Sequence, residues 1–418
     1  MGRARTSGLR CGIAVALLVA SVTALAGDHA EVERGRYLAQ AGDCESCHTD
    51  HGGRPFAGGR AIPTPFGTVY SRNITPDAVT GIGDWSEEDF YRAMHGGIGR
   101  DGKHLYPAFP YPWYTRLTRA DVHSIKNYLD TRAPVRQRNT PNDLHWPFSW
   151  RTLIGPWNGM FFDAGEFRAD PAKSPQWNRG AYLVEGAGHC SACHTPKNIA
   201  GGEKKGRAFE GGKAEGWLAS DLTGRALGGL SEWSIDEIAA FLKTGANGRT
   251  RAAGPMAEVV EMSTAHLRYD DVRAIATYLK DLPDGESAAH ADKTTASADH
   301  TTGRSLYLDN CTACHMENGR GQRGAFPALK GSAIAQGRDP DTAIRLILGG
   351  SPAASTAGNP NRFAMPAFAG KLSDREIAEL MSYLRQAWGN SAAEVSRRDV
   401  AGVRSEMRGD VPRPPPGN

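Results

Sequence analysis

Three stretches of the chain repeat one pattern of apolar and polar positions. They are LTRADVHSIKNYL (117–129), LRYDDVRAIATYL (267–279) and LSDREIAELMSYL (372–384). Each opens on a polar turn with an acid, then places apolar residues three and four apart, and ends on Tyr-Leu at Tyr128, Tyr278 or Tyr383. That spacing predicts three amphipathic helices, each offering one face to a core. Thr118 and Ser373 stand where an N-cap side chain belongs. A shorter lead-in recurs upstream of each: Gly35-Arg36-Tyr37-Leu38-Ala39, Gly180-Ala181-Tyr182-Leu183-Val184 and Gly303-Arg304-Ser305-Leu306-Tyr307. The first two repeats also share Asp84-Trp85-Ser86 with Glu232-Trp233-Ser234, and Asn73-Ile74-Thr75 with Asp221-Leu222-Thr223. The third repeat is shorter and lacks both. A repeated helix, middle segment and closing helix is thus the organising unit.

Composition sharpens this picture. The chain has 418 residues, only 40% of them apolar, and 50 are glycine. So much glycine leaves few side chains for three cores, so loops or a non-protein group must supply the rest. A mean hydropathy of −0.46 excludes a polytopic membrane protein. Residues 1–26 carry Arg3, Arg5 and Arg10, a short apolar run and an Ala24-Leu25-Ala26 exit, which reads as an export signal. A membrane anchor is the competing reading, and the run is shorter than the ~20 residues a span needs. Without those arginines the basic and acidic residues balance at 46 each, which argues against nucleic acid.

Six of the seven cysteines fall in three pairs, each followed at once by histidine. These are Cys44-Glu45-Ser46-Cys47-His48, Cys190-Ser191-Ala192-Cys193-His194 and Cys311-Thr312-Ala313-Cys314-His315. Cys-x-x-Cys-His is the signature of covalent haem c attachment. On one helical turn both thiols reach the two vinyl groups of a haem, and the histidine projects at the iron. Zinc would need two pairs close together, but successive pairs lie 146 and 121 residues apart. A thioredoxin-like redox pair would need a βαβ setting that the pattern does not show, and disulfides would use the same thiols. Three haems c also answer the composition, since each fills the core of a small helical domain.

The sixth iron ligand is a separate question. Met256, in Gly254-Pro255-Met256, lies 62 residues after His194, and Met365, in Ala364-Met365-Pro366, lies 50 after His315. Both read as thioether ligands, with packing as the plain alternative and Met262 as a spare in the second repeat. The first repeat differs. Phe109 lies 61 residues after His48 and 24 after Trp85, where Met256 lies 62 after His194 and 23 after Trp233. Phenylalanine cannot bind iron. His104 is the first alternative donor, an open or water-bound iron stands level with it, and Met94 and His95 read as ordinary helix residues.

Together these residues resemble the three-haem cytochrome c subunit of bacterial membrane-bound dehydrogenases of the alcohol, gluconate and sorbitol type. The resemblance runs from about residue 30 to 390, through Thr64-Pro65-Phe66-Gly67-Thr68, Asn73-Ile74-Thr75-Pro76-Asp77, His104-Leu105-Tyr106-Pro107-Ala108, Gly188-His189-Cys190 and Gly254-Pro255-Met256-Ala257-Glu258. It implies an all-α fold of three tandem class I cytochrome c domains, with Met256 and Met365 as axial ligands. The expected layout is a signal peptide (1–26), domains at 28–135, 176–285 and 301–392, an aromatic and Pro-rich linker (136–175), a flexible linker (286–300) and a tail (393–418). It further implies electron transfer from a catalytic subunit of flavin, PQQ or molybdenum type to quinone, a terminal cytochrome or an oxidase. The site would be periplasmic, peripheral on the outer face of the cytoplasmic membrane. Phe109 departs from many members and resembles the branch paired with molybdenum-type aldehyde or N-heterocycle dehydrogenases. The rival class is a haem enzyme, or a gas- or peroxide-binding protein, using an open first iron. The aromatic linker, with Trp146, Phe148, Trp150, Trp157, Phe161 and Phe162, reads either as interdomain packing or as a partner or membrane contact.

Overall fold

The computed structural model describes residues 28–223, 229–285, 300–352, 354–360 and 363–407. The N-terminal segment read as an export signal, nearly all of the 286–300 spacer and the end of the tail lie outside the described residues. The first repeat carries helices α1 (28–41), α2 (Glu87–Gly96) and α3 (Arg119–Asp130). Helix α4 (Ile154–Phe161) lies in the linker. The second repeat carries α5 (Pro175–Tyr182), α6 (Ile235–Thr244), α7 (Pro255–Met262) and α8 (Tyr269–Lys280). The third carries α9 (Thr301–Asn310), α10 (Asp341–Gly349) and α11 (Asp374–Gln386), with α12 (Arg397–Glu406) after it.

The closing helices α3, α8 and α11 thus form where the periodicity placed them. The Thr118 side chain accepts from the Asp121 amide, and Ser373 forms a reciprocal capping box with Glu376. Ser86 with Asp89 and Ser234 with Glu237 make the same box at α2 and α6. Each lead-in helix crosses its closing helix at a glycine. A Cβ on Gly35 would sit 1.8 Å from the Ser124 carbonyl oxygen, one on Gly180 2.0 Å from that of Ala274, and one on Gly303 2.2 Å from that of Glu379. No side chain fits there, so glycine sets the crossing in all three repeats.

Among the described residues the framework is helix-rich, and two small β-hairpins are the departure from a purely helical reading. Strands β1 (Ala61–Thr64) and β2 (Gly67–Tyr70) pair antiparallel, and β3 (Asp143–Leu144) adds to β2. Strands β4 (Glu210–Ala214) and β5 (Trp217–Asp221) form the second. Their turn residues Glu215 (φ 51°) and Gly216 (φ 78°) both take positive φ, as a tight two-residue hairpin requires. Strands this short, with Gly, Pro and Thr among their residues, give too little alternation to be seen in a sequence.

The first and second repeats share one continuous core, from Leu38, Phe90 and Ile125 to Leu183, Ile238 and Ile275. Their contact is reciprocal. The Tyr37 hydroxyl donates to Asp271 and accepts from the Arg268 amide at 3.1 Å. The Tyr182 hydroxyl donates to Asp121 and accepts from the Thr118 amide at 3.2 Å. Each acid also binds the arginine of its own lead-in: Arg34 to Asp121, and Arg179 to Asp271 at 2.8 Å. Burial works to raise the Asp271 carboxyl, and hydrogen bonds from Arg179 and Tyr37 overcome it, holding it at about 2.

The third repeat has its own core of Tyr307, Ile344, Leu348, Ile377, Leu380 and Met381. Val395, Val400, Val403 and Met407 of the tail are buried in it, and Arg404 binds Asp374 at 2.7 Å. The packed region therefore runs past residue 392 to Met407, and these apolar positions face a core. The third repeat joins the second through Leu218 N–H to Thr342 Oγ1 at 2.8 Å and Lys213 to Asp341 at 2.6 Å.

Candidate haem sites

Each Cys-x-x-Cys-His segment winds into one helical turn directly after its lead-in. The amides of His48, His194 and His315 bond to the carbonyls of Cys44, Cys190 and Cys311 at 3.0, 3.0 and 2.9 Å. Each turn therefore holds its two thiols three residues apart on one face, with histidine one step further.

The three imidazoles are oriented alike. Nδ1 lies 2.6 Å from the Arg72 carbonyl oxygen in His48, 2.7 Å from that of Ser220 in His194, and 2.9 Å from that of Pro327 in His315. A carbonyl only accepts, so Nδ1 carries the proton and Nε2 keeps its lone pair for a metal. Burial lowers the pKa of all three rings, opposed by those carbonyl bonds, so the neutral ligand form is favoured. These acceptors escaped the sequence reading because backbone carbonyls leave no side-chain signal. In hindsight one existed: Arg72 and Ser220 stand immediately before the matched Asn73-Ile74-Thr75 and Asp221-Leu222-Thr223.

The thiols are available for covalent attachment. All six described cysteines are free. Burial pushes Cys44 and Cys190 up to about 12, and Cys47 and Cys311 to about 11. Among the described residues no three His, Cys, Asp or Glu side chains cluster to hold a bare ion. At the third site Cys311, His315 and Met365 line one cavity, apolar apart from a few polar edges, with an empty volume of about 1080 Å³ counting its mouth. Leu329, Ile334 and Phe368 complete the wall. An apolar cavity lined by the Cys311 thiol, an imidazole and a thioether, with Cys314 on the same helical turn, fits a haem c. Met365 is fixed there by paired backbone bonds to Ser351 at 2.9 and 3.1 Å.

The first two sites can be superposed through their ligand loops. After α2, Gly97 (φ 63°) ends the helix and its carbonyl accepts from Leu105 N at 2.7 Å. After α6, Gly245 (φ 75°) does the same with Ala252 N at 2.7 Å. Bridges Ile98–His104 and Ala246–Arg251 follow. Five residues beyond each bridge stand Phe109 and Met256, so Phe109 takes the methionine's place. Both pack against the shared core. His104 takes the place of Arg251. Its Nδ1 is buried without a partner, and its Nε2 lies 3.3 Å from where a Cβ on Gly155 of α4 would be. Met94 is buried core at 4% exposure, and His95 stacks on Tyr91 with centroids 4.9 Å apart. Met262 is exposed.

Comparison with known proteins agrees with this chemistry. Residues 301–388 match the cytochrome c family. The chain is 40% identical, over 94% of its length, to the gluconate 2-dehydrogenase cytochrome c subunit of Pantoea cypripedii, and covers 95% of it. It is 38% identical, over 90% of its length, to the cytochrome c subunit of the quinone alcohol dehydrogenase of Gluconobacter oxydans, covering 83% of that chain. It is 44% identical, over 88% of its length, to a subunit of the nicotinate dehydrogenase of Pseudomonas putida, but spans only 32% of that longer protein. The chain is therefore a c-type cytochrome that holds haem covalently. It belongs to the family of cytochrome c subunits of dehydrogenases, whose work is electron transfer.

Proposed function

We propose that the chain passes electrons through three haems c, one in each of three tandem cytochrome c domains, from a catalytic dehydrogenase subunit to quinone or a downstream cytochrome or oxidase. The observation that carries this reading is the threefold recurrence of a thiol pair, an imidazole and a carbonyl acceptor for Nδ1. Cys44 with Cys47, Cys190 with Cys193 and Cys311 with Cys314 would form the thioethers. His48, His194 and His315 would bind iron through Nε2. The haems supply the reversible one-electron chemistry. The carbonyls of Arg72, Ser220 and Pro327 hold each ring in one tautomer and keep it electron-rich.

Met256 and Met365 are assigned as sixth ligands of the second and third irons, where a thioether favours the reduced state. Phe109 offers the first iron no lone pair. His104 stands five residues upstream, at the position from which Arg251 reaches out of its own repeat, and its Nε2 faces α4. We therefore leave His104 out of the ligand set and assign the first sixth position to solvent. This departure, together with the likeness to the nicotinate dehydrogenase chain, favours a partner that oxidises an aldehyde or an N-heterocycle. Export, removal of residues 1–26 and a peripheral place on the periplasmic side of the membrane complete the reading. Intact mass of the mature protein tests it: three haems and no free thiol are expected, and fewer than three in fully matured protein would overturn it.

A further inference from the structure

The cavity of the third repeat is walled in part by a residue from the second. Arg251 lies on the loop between α6 and α7, five residues before Met256, and lines the cavity beside Cys311, His315 and Met365. Its Nη1 donates to the Ala325 carbonyl oxygen at 2.9 Å. Its Nε and Nη2 are shielded from water and have no hydrogen-bond partner among the described residues. Its guanidinium lies 5.9 Å from the Phe363 ring centroid, a weak cation–π contact at most. Apart from His315 it is the only ionisable nitrogen group among the described residues of the wall, and no carboxylate stands there beside it.

A cation with two idle donors shut off from water is costly unless an anion meets it. Burial alone pulls the Arg251 pKa down, which expresses the same missing partner. A haem c carries two such anions, its propionate carboxylates, and planar bidentate pairing with a carboxylate is what guanidinium geometry suits.

We propose that Arg251, supplied by the second repeat, binds a propionate of the haem held in the third. The inference rests on the three-haem reading above. Arg251 then has two effects. Its positive charge in a water-poor wall favours the reduced iron, which has one positive charge fewer. Its short loop to Met256 also ties the edge of one haem site to the ligand of the next, so the two sites are held in fixed relation. The first repeat has no such residue, because His104 stands at the matching bridge position.

The experiment uses the full-length protein with its haems attached. Spectroscopic redox titration of Met365→His first marks the wave of the third haem. Arg251→Gln should move that same wave and leave the other two in place. Removing the Arg251 charge withdraws its preference for the reduced iron. At a fixed applied potential the reduced-to-oxidised ratio of that haem should therefore fall about tenfold, or about 60 mV at 59 mV per decade for one electron. Arg251→Lys keeps the charge and the apolar stem and should fall between the two. If both variants leave the Met365-dependent wave where it was, or shift all three waves equally, the proposal is wrong. Fewer than three haems by mass in the parent protein would instead overturn the three-haem reading, independently of Arg251.

Discussion

The first and second repeats are built on one plan and end in different chemistry. Both cross a lead-in helix over a closing helix at a glycine, both fix the histidine Nδ1 on a carbonyl, and both shape the ligand loop with a positive-φ glycine and a short bridge. They even exchange the same bond, tyrosine to aspartate, in both directions. At the bridge and five residues beyond it the plan is filled by His104 and Phe109 in one case, and by Arg251 and Met256 in the other. On the ligand assignment proposed above, the scaffold does not choose the iron's ligand: one side chain on a common loop shape does, so a potential can change without a change of fold.

The largest effect should come from exchanging those side chains. Phe109→Met should convert the first haem from a high-spin component that binds carbon monoxide into a low-spin haem with a sulfur-to-iron charge-transfer band. Met256→Phe should do the reverse to the second. Axial ligands span about 0.8 V, so each exchange should move one wave by a few tenths of a volt. His104→Ala should leave the spin state of the first haem as it was. Three equivalent His/Met spectra in the unmodified protein would refute the assignment.

The next effect tests whether the common plan depends on its crossings. Gly180→Ala places a methyl 2.0 Å from the Ala274 carbonyl oxygen, and the two backbones must part. About 3 kcal/mol of destabilisation is expected, read as a fall in melting temperature. Gly303→Ala should cost as much in a core that shares nothing with the first pair. A neutral result at either site would mean that the crossing yields more easily than its geometry implies.

Much of this is legible in the sequence. The closing helices, their Thr118 and Ser373 caps, the three attachment motifs and the Phe109 exception all follow from local spacing, because a helix writes its period into neighbouring residues. The hairpins escape because four- and five-residue strands carry almost no period. The Tyr37–Asp271 and Tyr182–Asp121 exchange escapes because it joins residues far apart in sequence. Arg251 escapes because a lone arginine in a loop looks solvated until a neighbouring repeat closes over it. In the tail Val395, Val400, Val403 and Met407 are too sparse to announce a helix face, and only packing shows that they finish a core.

A smaller effect should come from pH at the interface of the first two repeats. The folded Asp271 carboxyl sits at about 2, below its ordinary range near 4, so its contribution is fully present above about pH 4 and is lost as pH falls towards 2. The loss should amount to about 2 kcal/mol, on the order set by a shift of about two pH units. Asp271→Asn should flatten that limb of the acid-unfolding curve. Tyr37→Phe should flatten it less, since it removes one of the bonds holding the carboxylate. An Asp271→Asn curve parallel to that of the parent would show that the exchange does not couple the two repeats.

The smallest effect separates two halves of the aromatic linker. One half is packed: Trp157 Nε1 donates to the Ala200 carbonyl oxygen at 2.9 Å, Phe161 lies over Gly202, and Phe162 meets Tyr111 edge-on with centroids 5.2 Å apart. The other half is open: Trp146 is 76% exposed and Trp150 56%, and their rings meet edge-on. The two readings of this segment, packing and contact, therefore apply to different residues. Trp157→Phe keeps most of the ring and removes one hydrogen bond, so it should cost about 1 kcal/mol. Trp146→Ser with Trp150→Ser should stay within about 0.5 kcal/mol of the parent, as surface changes do. Thermal unfolding of the isolated subunit reads both. Equal losses would mean that the open half is braced against the body of the protein. A large loss from the double serine variant alone would reverse the division between packed and open residues altogether.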